Sequence, residues 1–271
     1  MTISNPLELP DYHTHHELCR HAEGRTIDYA IAARAKGIKE FAATDHCPTD
    51  VGFGKEHRMQ LDQFSQYRRD IEIARAAVPE VAVLSGVEAD YYRGCEKFLA
   101  PFLLEQSLDI VLGSIHFRDY WSDDPRKKYV SDKLDHTVTW TDYFQLTGEL
   151  AQTGLYDVVT HMDLPKRFGA PADEKKIREH ALPSLDKIAE AGMAIEINTS
   201  GLTHDVREQY PSLHMLSWAA ERGIGLVFGS DAHQPARVGD GFDAALRLAR
   251  AAGFKEARRY RQRRWTAYSI V

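Results

Sequence analysis

An α/β fold of parallel strands is predicted by the 271-residue sequence, and three observations support it. First, seven short apolar runs, often β-branched, alternate with longer amphipathic stretches, a pattern typical of strands joined by crossover helices. Second, glycine follows five of the amphipathic stretches, where helices commonly stop. Third, the runs are fairly evenly spaced, and no linker or low-complexity segment separates them. We therefore expect residues 1–271 to form a single barrel-like domain.

The elements are assigned in chain order. The apolar runs predict strands at Leu9–His13, Glu40–Asp45, Val81–Glu88, Ile110–His116, Val158–His161, Ala194–Asn198 and Gly225–Ser230. The amphipathic stretches predict helices at Thr26–Lys36, Leu61–Ala77, Thr141–Gln152, Glu174–Ala191, Pro211–Arg222 and Gly241–Ala251. The glycines after helices are Gly37, Gly154, Gly192, Gly223 and Gly253. The Asp- and Lys-rich segment Phe117–Val138 is the longest irregular region and predicts an exposed loop.

Composition and charge narrow the function classes. The net charge is −6 and no basic stripe precedes residue 255, so we expect no nucleic-acid partner. The basic stretch Lys255–Arg264 is interpreted as a solvated last helix or strand. Three cysteines without a CxxC pair predict no disulfide framework, and no apolar run reaches the roughly 18 residues of a membrane span. The N-terminus lacks a signal-peptide pattern, so a cytoplasmic setting is expected, while the oligomeric state is left open.

The Asp-x-His-x-His run at residues 11–15 carries the most specific chemical signal. His13 and His15 are separated by one residue, so on an extended strand both side chains point to the same side. Neutral imidazoles in that arrangement can both reach one divalent metal. We expect Asp11 to accept the other ring N–H of a ligand histidine, and His16, on the opposite face, to be structural. A half-buried core strand is the alternative, and it accounts for a single histidine better than for this pair.

Further histidines and carboxylates stand at the ends of the other predicted strands. In parallel barrels, catalytic groups come from the C-terminal ends of the strands. Any one of these residues could be an ordinary polar residue, but their recurrence predicts a metal site. They are His21 in the first loop, Asp45 with His46, Glu88, His116, His161, Asn198, and Asp231 with His233. The predicted metal ligands are His13, His15, His21, His46, Glu88, His116, His161, Asp231 and His233.

Glu88 has a special place in this set. It follows a long apolar run, where an ionised carboxylate is costly unless a cation compensates it. Its two oxygens could bridge two metals, and a salt bridge with a barrel arginine is the alternative. Nine candidate ligands, seven of them histidines, exceed what one catalytic metal needs, so two or three ions are expected. The mixture of imidazole and carboxylate ligands suits Zn, Fe or Mn.

A site of this kind predicts the hydrolysis of phosphate esters. A multinuclear centre places a bridging hydroxide against an electrophile and neutralises charge on its oxygens. Lys166 and Arg167, just past His161, are candidates to bind the phosphate, with solvated surface as an equal alternative. Asp231, His233 or a bound water could protonate the leaving alkoxide. The catalytic candidates are Glu88, Asp231, His233 and Arg167.

In this order, the motifs resemble the PHP (polymerase and histidinol phosphatase) family of metal-dependent phosphoesterases. The matching elements are His13-x-His15, His21, His46 in Thr-Asp-His, Glu88, His116 in Gly-Ser-Ile-His, His161 and Asp231-Ala-His233. They span about residues 11–235. The resemblance implies a distorted (β/α)7 TIM-like barrel and a trinuclear metal centre. It assigns three ligand groups, which are His13, His15, Glu88 and Asp231; Glu88, His116 and His161; and His21, His46 and His233.

Within the family, the chain length and the forms Cys19-x-His21-Ala22 and Gly-Ser-Ile-His-Phe are similar to those of enzymes that hydrolyse L-histidinol phosphate in histidine biosynthesis. The resemblance implies a phosphatase whose partner is a small phosphorylated substrate, with no nucleic acid and no membrane. The candidates to face the cationic amine or imidazole are Glu17, Asp119, Asp123 and Asp124. Three rival interpretations remain: a family phosphoesterase acting on nucleotides or phosphotyrosine, an amidohydrolase, which Glu88 in the bridging position disfavours, and an inactive metal-binding scaffold.

Overall fold

The sheet is built from six parallel strands that are hydrogen-bonded in chain order. The computed structural model describes residues 5–51, 54–116, 136–168 and 174–271. The strands are β1 (Glu40–Ala43), β2 (Ala82–Asp90), β3 (Ile110–Ser114), β4 (Val158–Val159), β5 (Ala194–Asn198) and β6 (Gly225–Gly229). Each pairs in parallel with the next, which places all the C-terminal strand ends at one edge. The predicted parallel α/β architecture is confirmed.

The segment around Asp11–His15 joins the two outer strands, β6 and β1. Tyr12 N donates to Phe228 O of β6 at 2.9 Å, and Ala42 N of β1 donates to Asp11 O at 2.8 Å. The segment therefore fills the place of a seventh strand and closes the sheet into a ring, although it pairs through isolated bridges only. The predicted distorted seven-stranded barrel is confirmed, and His13 and His15 lie at its C-terminal end.

Helices cover the outside of the barrel. They are α1 (Thr26–Lys36), α2 (Phe64–Ala77), α3 (Glu96–Glu105), α4 (His136–Gln152), α5 (Glu174–Glu190), α6 (Leu213–Glu221) and α7 (Phe242–Ala251). α3 is absent from the sequence-based assignment because Pro101 and an apolar composition interrupt its helical pattern. The predicted loop Phe117–Val138 falls mostly on residues 117–135, which lie outside the described residues, whereas 136–138 begin α4. None of the helices in the described ranges is long and apolar enough to cross a membrane.

The core has two parts. The larger part packs between the sheet and the helices. The smaller part fills the inside of the barrel with side chains from successive strands, namely Tyr12, Ala42, Leu84, Ile110, Leu112, Val158, Ala194, Val227 and Tyr260. Inward-pointing branched residues of this kind make a packed centre rather than a pore. The barrel interior therefore supports the strand ends where the polar residues gather.

A C-terminal hairpin closes the opposite, N-terminal end of the barrel. Its strands are β7 (Glu256–Arg261) and β8 (Arg264–Ser269), and β7 contributes Tyr260 to the barrel interior. Arg258 is buried, and its Nη1 donates to Gly192 O at 2.7 Å. Arg261 pairs with Glu40 at 2.7 Å, and Arg263 pairs with Asp157 at 3.0 Å. The stretch forms the predicted strand and Arg261 is exposed, but the prediction of a solvated charge was wrong for Arg258, which is buried and binds a backbone carbonyl.

Candidate metal centre

All nine predicted ligand side chains converge at the C-terminal end of the barrel. His13 and His15 come from the closing segment, and Glu88 comes from β2. The others follow the ends of strands, namely His46 after β1, His116 after β3, His161 after β4, and Asp231 and His233 after β6. His21 reaches the same place from the first loop, with its Nε2 3.0 Å from His233 Nε2. The convergence that the sequence predicts is present in the structure.

Glu88 lies at the centre of the cluster. Its side chain is buried, and its Oε2 lies 2.9 Å from His46 Nδ1. Its Oε1 lies 3.0 Å from His161 Nε2. Three further imidazole nitrogens lie 3.4–3.6 Å from its oxygens, namely Nε2 of His13, His15 and His116. Each carboxylate oxygen thus faces its own group of imidazoles, an arrangement suited to a bridging ligand.

Asp231 completes one side of the cluster. Its Oδ1 lies 3.2 Å from His15 Nε2 and 3.7 Å from His13 Nε2, while these two nitrogens lie 3.0 Å apart. Its Oδ2 accepts from Ser200 Oγ at 3.2 Å and from Asn198 Nδ2 at 3.3 Å. One oxygen is therefore anchored by hydrogen bonds, and the other is aimed at the histidine pair. Asn198, predicted at the end of β5, orients this carboxylate.

His21 and His233 form the exposed side of the cluster. His21 Nδ1 donates to Cys19 O and His233 Nδ1 donates to Asp231 O, each at 2.9 Å. When each ring carries a single proton, on Nδ1, the Nε2 lone pairs of the two rings face each other at 3.0 Å. The ring of His233 also stacks on that of His15, with centroids 4.4 Å apart. Facing lone pairs repel unless a cation lies between them.

Two buried carboxylates hold ligand histidines from behind, and sequence reasoning missed both. Glu196 of β5 lies 2.7 Å from His13 Nδ1, and Asp90 of β2 lies 2.7 Å from His116 Nδ1. Arg58 Nη2 donates to the far oxygen of Asp90 at 2.6 Å. Carboxylates in this position fix the tautomer and orientation of a metal-binding imidazole. The available signal for Glu196 was a carboxylate set between two isoleucines in a predicted buried strand.

The expected role of Asp11 was wrong. Its carboxylate accepts from Ser230 N at 2.9 Å, from Gly239 N at 2.8 Å and from His13 N at 3.3 Å, and it meets no imidazole nitrogen within the described residues. Burial raises the pKa of this carboxyl to about 6 despite these donors. Asp11 therefore ties the loop after β6 to the closing segment. His16 has the structural role expected of it, since it is buried and its Nδ1 lies 3.3 Å from Asp45 Oδ2.

The charges in the cluster favour a bound cation. Burial, together with the neighbouring His233 and His46, lowers the pKa of His15 well below its ordinary value. Burial and His46 lower the pKa of His21 to about 4, so both rings are neutral. Burial opposes the ionisation of Glu88, but the surrounding imidazoles hold its pKa well below the usual range. Burial disfavours the charged forms of His13 and His116, but the carboxylates beside them raise the pKa of both rings. Neutral His15 and His21 and ionised Glu88 are therefore already in the states that metal binding requires, whereas a metal would have to displace a proton from His13 or His116.

Unpaired atoms supply an independent test of whether a metal fits. Glu88 Oε2, His46 Nδ1 and His15 Nδ1 are buried and lack a hydrogen-bond partner among the described residues, although the first two atoms form a close contact at 2.9 Å. Such groups are costly to bury unless something else satisfies them. Ligand atoms lie within 4.8 Å of one another in several groups, including His13, His15 and Glu88; His46, Glu88 and His116; and His15, His46 and His233. These residues fit more than one transition-metal ion.

A cleft of about 260 Å³ opens over the cluster, and Arg167 lies in its wall. Arg167 is exposed, and its Nη2 donates to His204 Nε2 at 3.3 Å. Lys166 does not line the cleft, because its ammonium pairs with Asp163 at 2.9 Å and with Glu208 at 3.0 Å. Adjacent residues in the short 3-10 helix Leu164–Phe168 point in different directions, which the sequence pattern could not separate. The structure therefore favours Arg167 over Lys166 as a phosphate ligand.

The acidic substrate-binding candidates are placed less favourably. Glu17 is exposed on the short helix Glu17–Cys19, and it does not line the cleft over the cluster. Asp119, Asp123 and Asp124 lie outside the described residues. Glu17 therefore has no structural support as a substrate contact.

The fold and the cluster together define a class of protein, a TIM-like barrel with a multi-histidine metal-type site at its strand ends. Residues 11–200 match the model of the PHP domain. A relative named probable histidinol-phosphatase, from Deinococcus radiodurans, is 37% identical over 247 residues, which cover 90% of this chain and 94% of the relative. The histidinol-phosphatase of Bacillus subtilis is 28% identical, covering 89% of this chain and 99% of that protein. The chain belongs to the PHP family.

Solved structures agree with this fold. The crystal structure of histidinol phosphate phosphatase from Lactococcus lactis, complexed with zinc, L-histidinol and phosphate, has a TM-score of 0.81 at 20% identity, covering 96% of this chain and 99% of that one. The putative histidinol phosphatase of Listeria monocytogenes has a TM-score of 0.75 at 20% identity, covering 87% of this chain and 99% of that one. At this identity the two matches establish a common fold.

Proposed function

We propose that the protein is a metal-dependent phosphomonoesterase that hydrolyses L-histidinol phosphate to L-histidinol and phosphate. The observation that carries the proposal is the cluster of seven histidines around Glu88 and Asp231, open to a cleft with Arg167 in its wall. Clustered metals beside a guanidinium suit a tetrahedral dianion. The substrate is inferred from two relatives that align with most of the chain and are named as histidinol-phosphatases.

Two or three ions of Zn, Fe or Mn are proposed for the centre. His13, His15, Glu88 and Asp231 would hold one, and Glu88, His116 and His161 would hold a second. The third would take His21, His46 and His233. The Nε2 contact between His21 and His233 supports the third group. His46 borders two of the groups, since its Nδ1 lies 2.9 Å from Glu88 Oε2 while its ring lies 5.2 Å from that of His21.

Different side chains of the site have different roles in the proposed reaction. When bound, the metals supply Lewis acidity and lower the pKa of water at the cluster. Arg167 holds a phosphoryl oxygen from the wall of the cleft. Glu196 and Asp90 keep the rings of His13 and His116 in their productive tautomers. Asp231 and His233 line the cleft, and a water bound beside them would protonate the leaving alkoxide.

The substrate assignment predicts a clear order of efficiencies. Protein reconstituted with Zn, Mn or Fe is expected to hydrolyse L-histidinol phosphate with a kcat/KM at least about tenfold above that for p-nitrophenyl phosphate, a mononucleotide or phosphotyrosine, or about 1.4 kcal/mol of transition-state preference. Phosphate release at matched metal content measures it. A tenfold preference for a nucleotide or phosphotyrosine would overturn the substrate but leave the phosphatase. If no phosphate is released from any of the esters, both the substrate assignment and the phosphatase assignment are overturned.

Removing the guanidinium tests the phosphate contact. Arg167→Ala is expected to raise the KM for a phosphomonoester by about tenfold or more with metal content unchanged, because its charge lies in the cleft wall and not in the ligand cluster. Lys166→Ala is the matched control. It should lower the melting temperature, since it breaks the pair with the buried Asp163, but it should leave KM unchanged. Equal KM values in wild type and Arg167→Ala would show that Arg167 is a solvated surface residue that does not bind the phosphate.

A further inference from the structure

A second cleft, of about 380 Å³, opens beside the one over the metal cluster. The two clefts share His21, Arg167, Ser200, His204, Asp231 and His233. The additional wall is formed by Glu23, Thr203, Gln234 and Arg237. A ligand whose phosphate sits at the metal cluster can therefore extend into this second space without leaving the protein surface.

Glu23 is the carboxylate of the second cleft that lies outside the ligand cluster. The other acidic lining residue, Asp231, has both oxygens engaged with histidines, Ser200 or Asn198. Gln234 Nε2 donates to Glu23 Oε1 at 3.2 Å, and no ion pair involves Glu23 within the described ranges. Arg237, in contrast, pairs with Asp240 at 3.4 Å. The carboxylate of Glu23 is exposed at the edge of the cleft, and no Lys, Arg or His side chain of the described residues forms an ion pair with it.

The backbone fixes Glu23 close to the metal cluster. Its N–H donates to the carbonyl of His233 at 2.9 Å, and its carbonyl accepts from Tyr29 Oη at 3.2 Å. His21, two residues earlier, is itself in the cluster. Glu17, the carboxylate that the sequence favoured, lines neither cleft. The position of Glu23 is therefore set by the same loop that carries a proposed metal ligand.

We propose that the second cleft binds the ammonium group of the substrate, with Glu23 as its counter-ion, and so selects phosphate monoesters of amino alcohols. The proposal rests on the proposed phosphatase function. In L-histidinol phosphate the amine is two carbons from the ester oxygen, so an ester held at the metal cluster must place its ammonium nearby. Arg167 and the metals accept the anionic end, and Glu23 accepts the cationic end. Gln234 orients the carboxylate through its hydrogen bond.

The test compares two carboxylates and two esters. Glu23→Gln is expected to lower kcat/KM for L-histidinol phosphate by about tenfold, because it removes the carboxylate that would face the ammonium group. The same variant should hydrolyse 3-(imidazol-4-yl)propyl phosphate, which lacks the amine, within about twofold of wild type. Glu17→Gln, on the same loop but outside both clefts, should leave both esters unchanged. Equal losses on both esters, or no loss on either, would overturn the ammonium site.

A binding measurement separates this proposal from the proposed function. Calorimetry on metal-loaded protein should show L-histidinol binding more tightly than 3-(imidazol-4-yl)propan-1-ol, and Glu23→Gln should abolish the difference while keeping the metal content. If wild type turns over no phosphomonoester, the phosphatase assignment fails, but this comparison still decides the ammonium site. A wild-type protein that binds the two alcohols equally would overturn the ammonium site, whatever the turnover.

Discussion

Replacing Glu88 by glutamine is expected to lower kcat by two orders of magnitude or more while leaving the fold intact. The substitution keeps the volume of a buried side chain but removes the negative charge that faces five imidazoles. If two metals share this carboxylate, both would lose an anionic ligand at once, and the water activation that they would supply would be lost. The side chain makes its contacts within the cluster rather than with the helices, so the barrel itself should survive.

Elemental analysis, thermal melting and steady-state kinetics check this result together. Glu105→Gln, on the exposed end of α3, is the matched control and should behave as wild type in all three. Glu88→Gln should bind less metal, and adding metal should not restore turnover if, as proposed, the missing ligand is common to two ions. Near wild-type turnover of Glu88→Gln at saturating metal would show that Glu88 does not act as a bridging ligand.

The convergence of the nine candidate ligands was predictable from the sequence because two regularities coincide. Alternate residues of an extended segment share a face, which places His13 beside His15, and parallel strands bring their C-terminal ends to one edge. Each strand therefore delivers its terminal His, Asp or Glu to the same place, however far apart the residues are in sequence. That the chain forms one domain over residues 1–271 stays a prediction.

The features that the sequence did not predict depend on contacts between distant elements. Glu196 meets His13 across 183 residues, and no local pattern marks the pair. Arg258 has the sequence pattern of a solvated charge, but the hairpin buries it against the carbonyl of Gly192. Glu23 and Glu17 lie on one loop with similar composition, and only the loop geometry places Glu23 in a cleft.

Glu196→Gln is expected to weaken metal binding by about 10- to 100-fold, with turnover that recovers when metal is added in excess. Both carboxylate oxygens are used. Oε1 accepts from His13 Nδ1 at 2.7 Å, while Oε2 accepts from His161 N at 3.2 Å and from Asn198 Nδ2 at 3.1 Å. A glutamine amide turns one acceptor into a donor, so in either orientation a buried N–H faces another N–H. Either His13 or the backbone at His161 then loses its hydrogen bond to residue 196.

Gly229 shows how tightly this carboxylate is fitted against its partners. A Cβ at that position would lie 1.9 Å from Glu196 Oε1 and 2.6 Å from His13 Cβ, so a side chain there would push the two apart. Competition with a chelator, followed through the visible spectrum of the cobalt-substituted protein, measures the metal affinity directly. Glu190→Gln, exposed at the end of α5, is the control. A lower melting temperature with unchanged metal affinity and an unchanged cobalt spectrum would make Glu196 a structural residue only. A loss that excess metal reverses would separate the role of Glu196 from the bridging role proposed for Glu88, for which excess metal should not restore turnover.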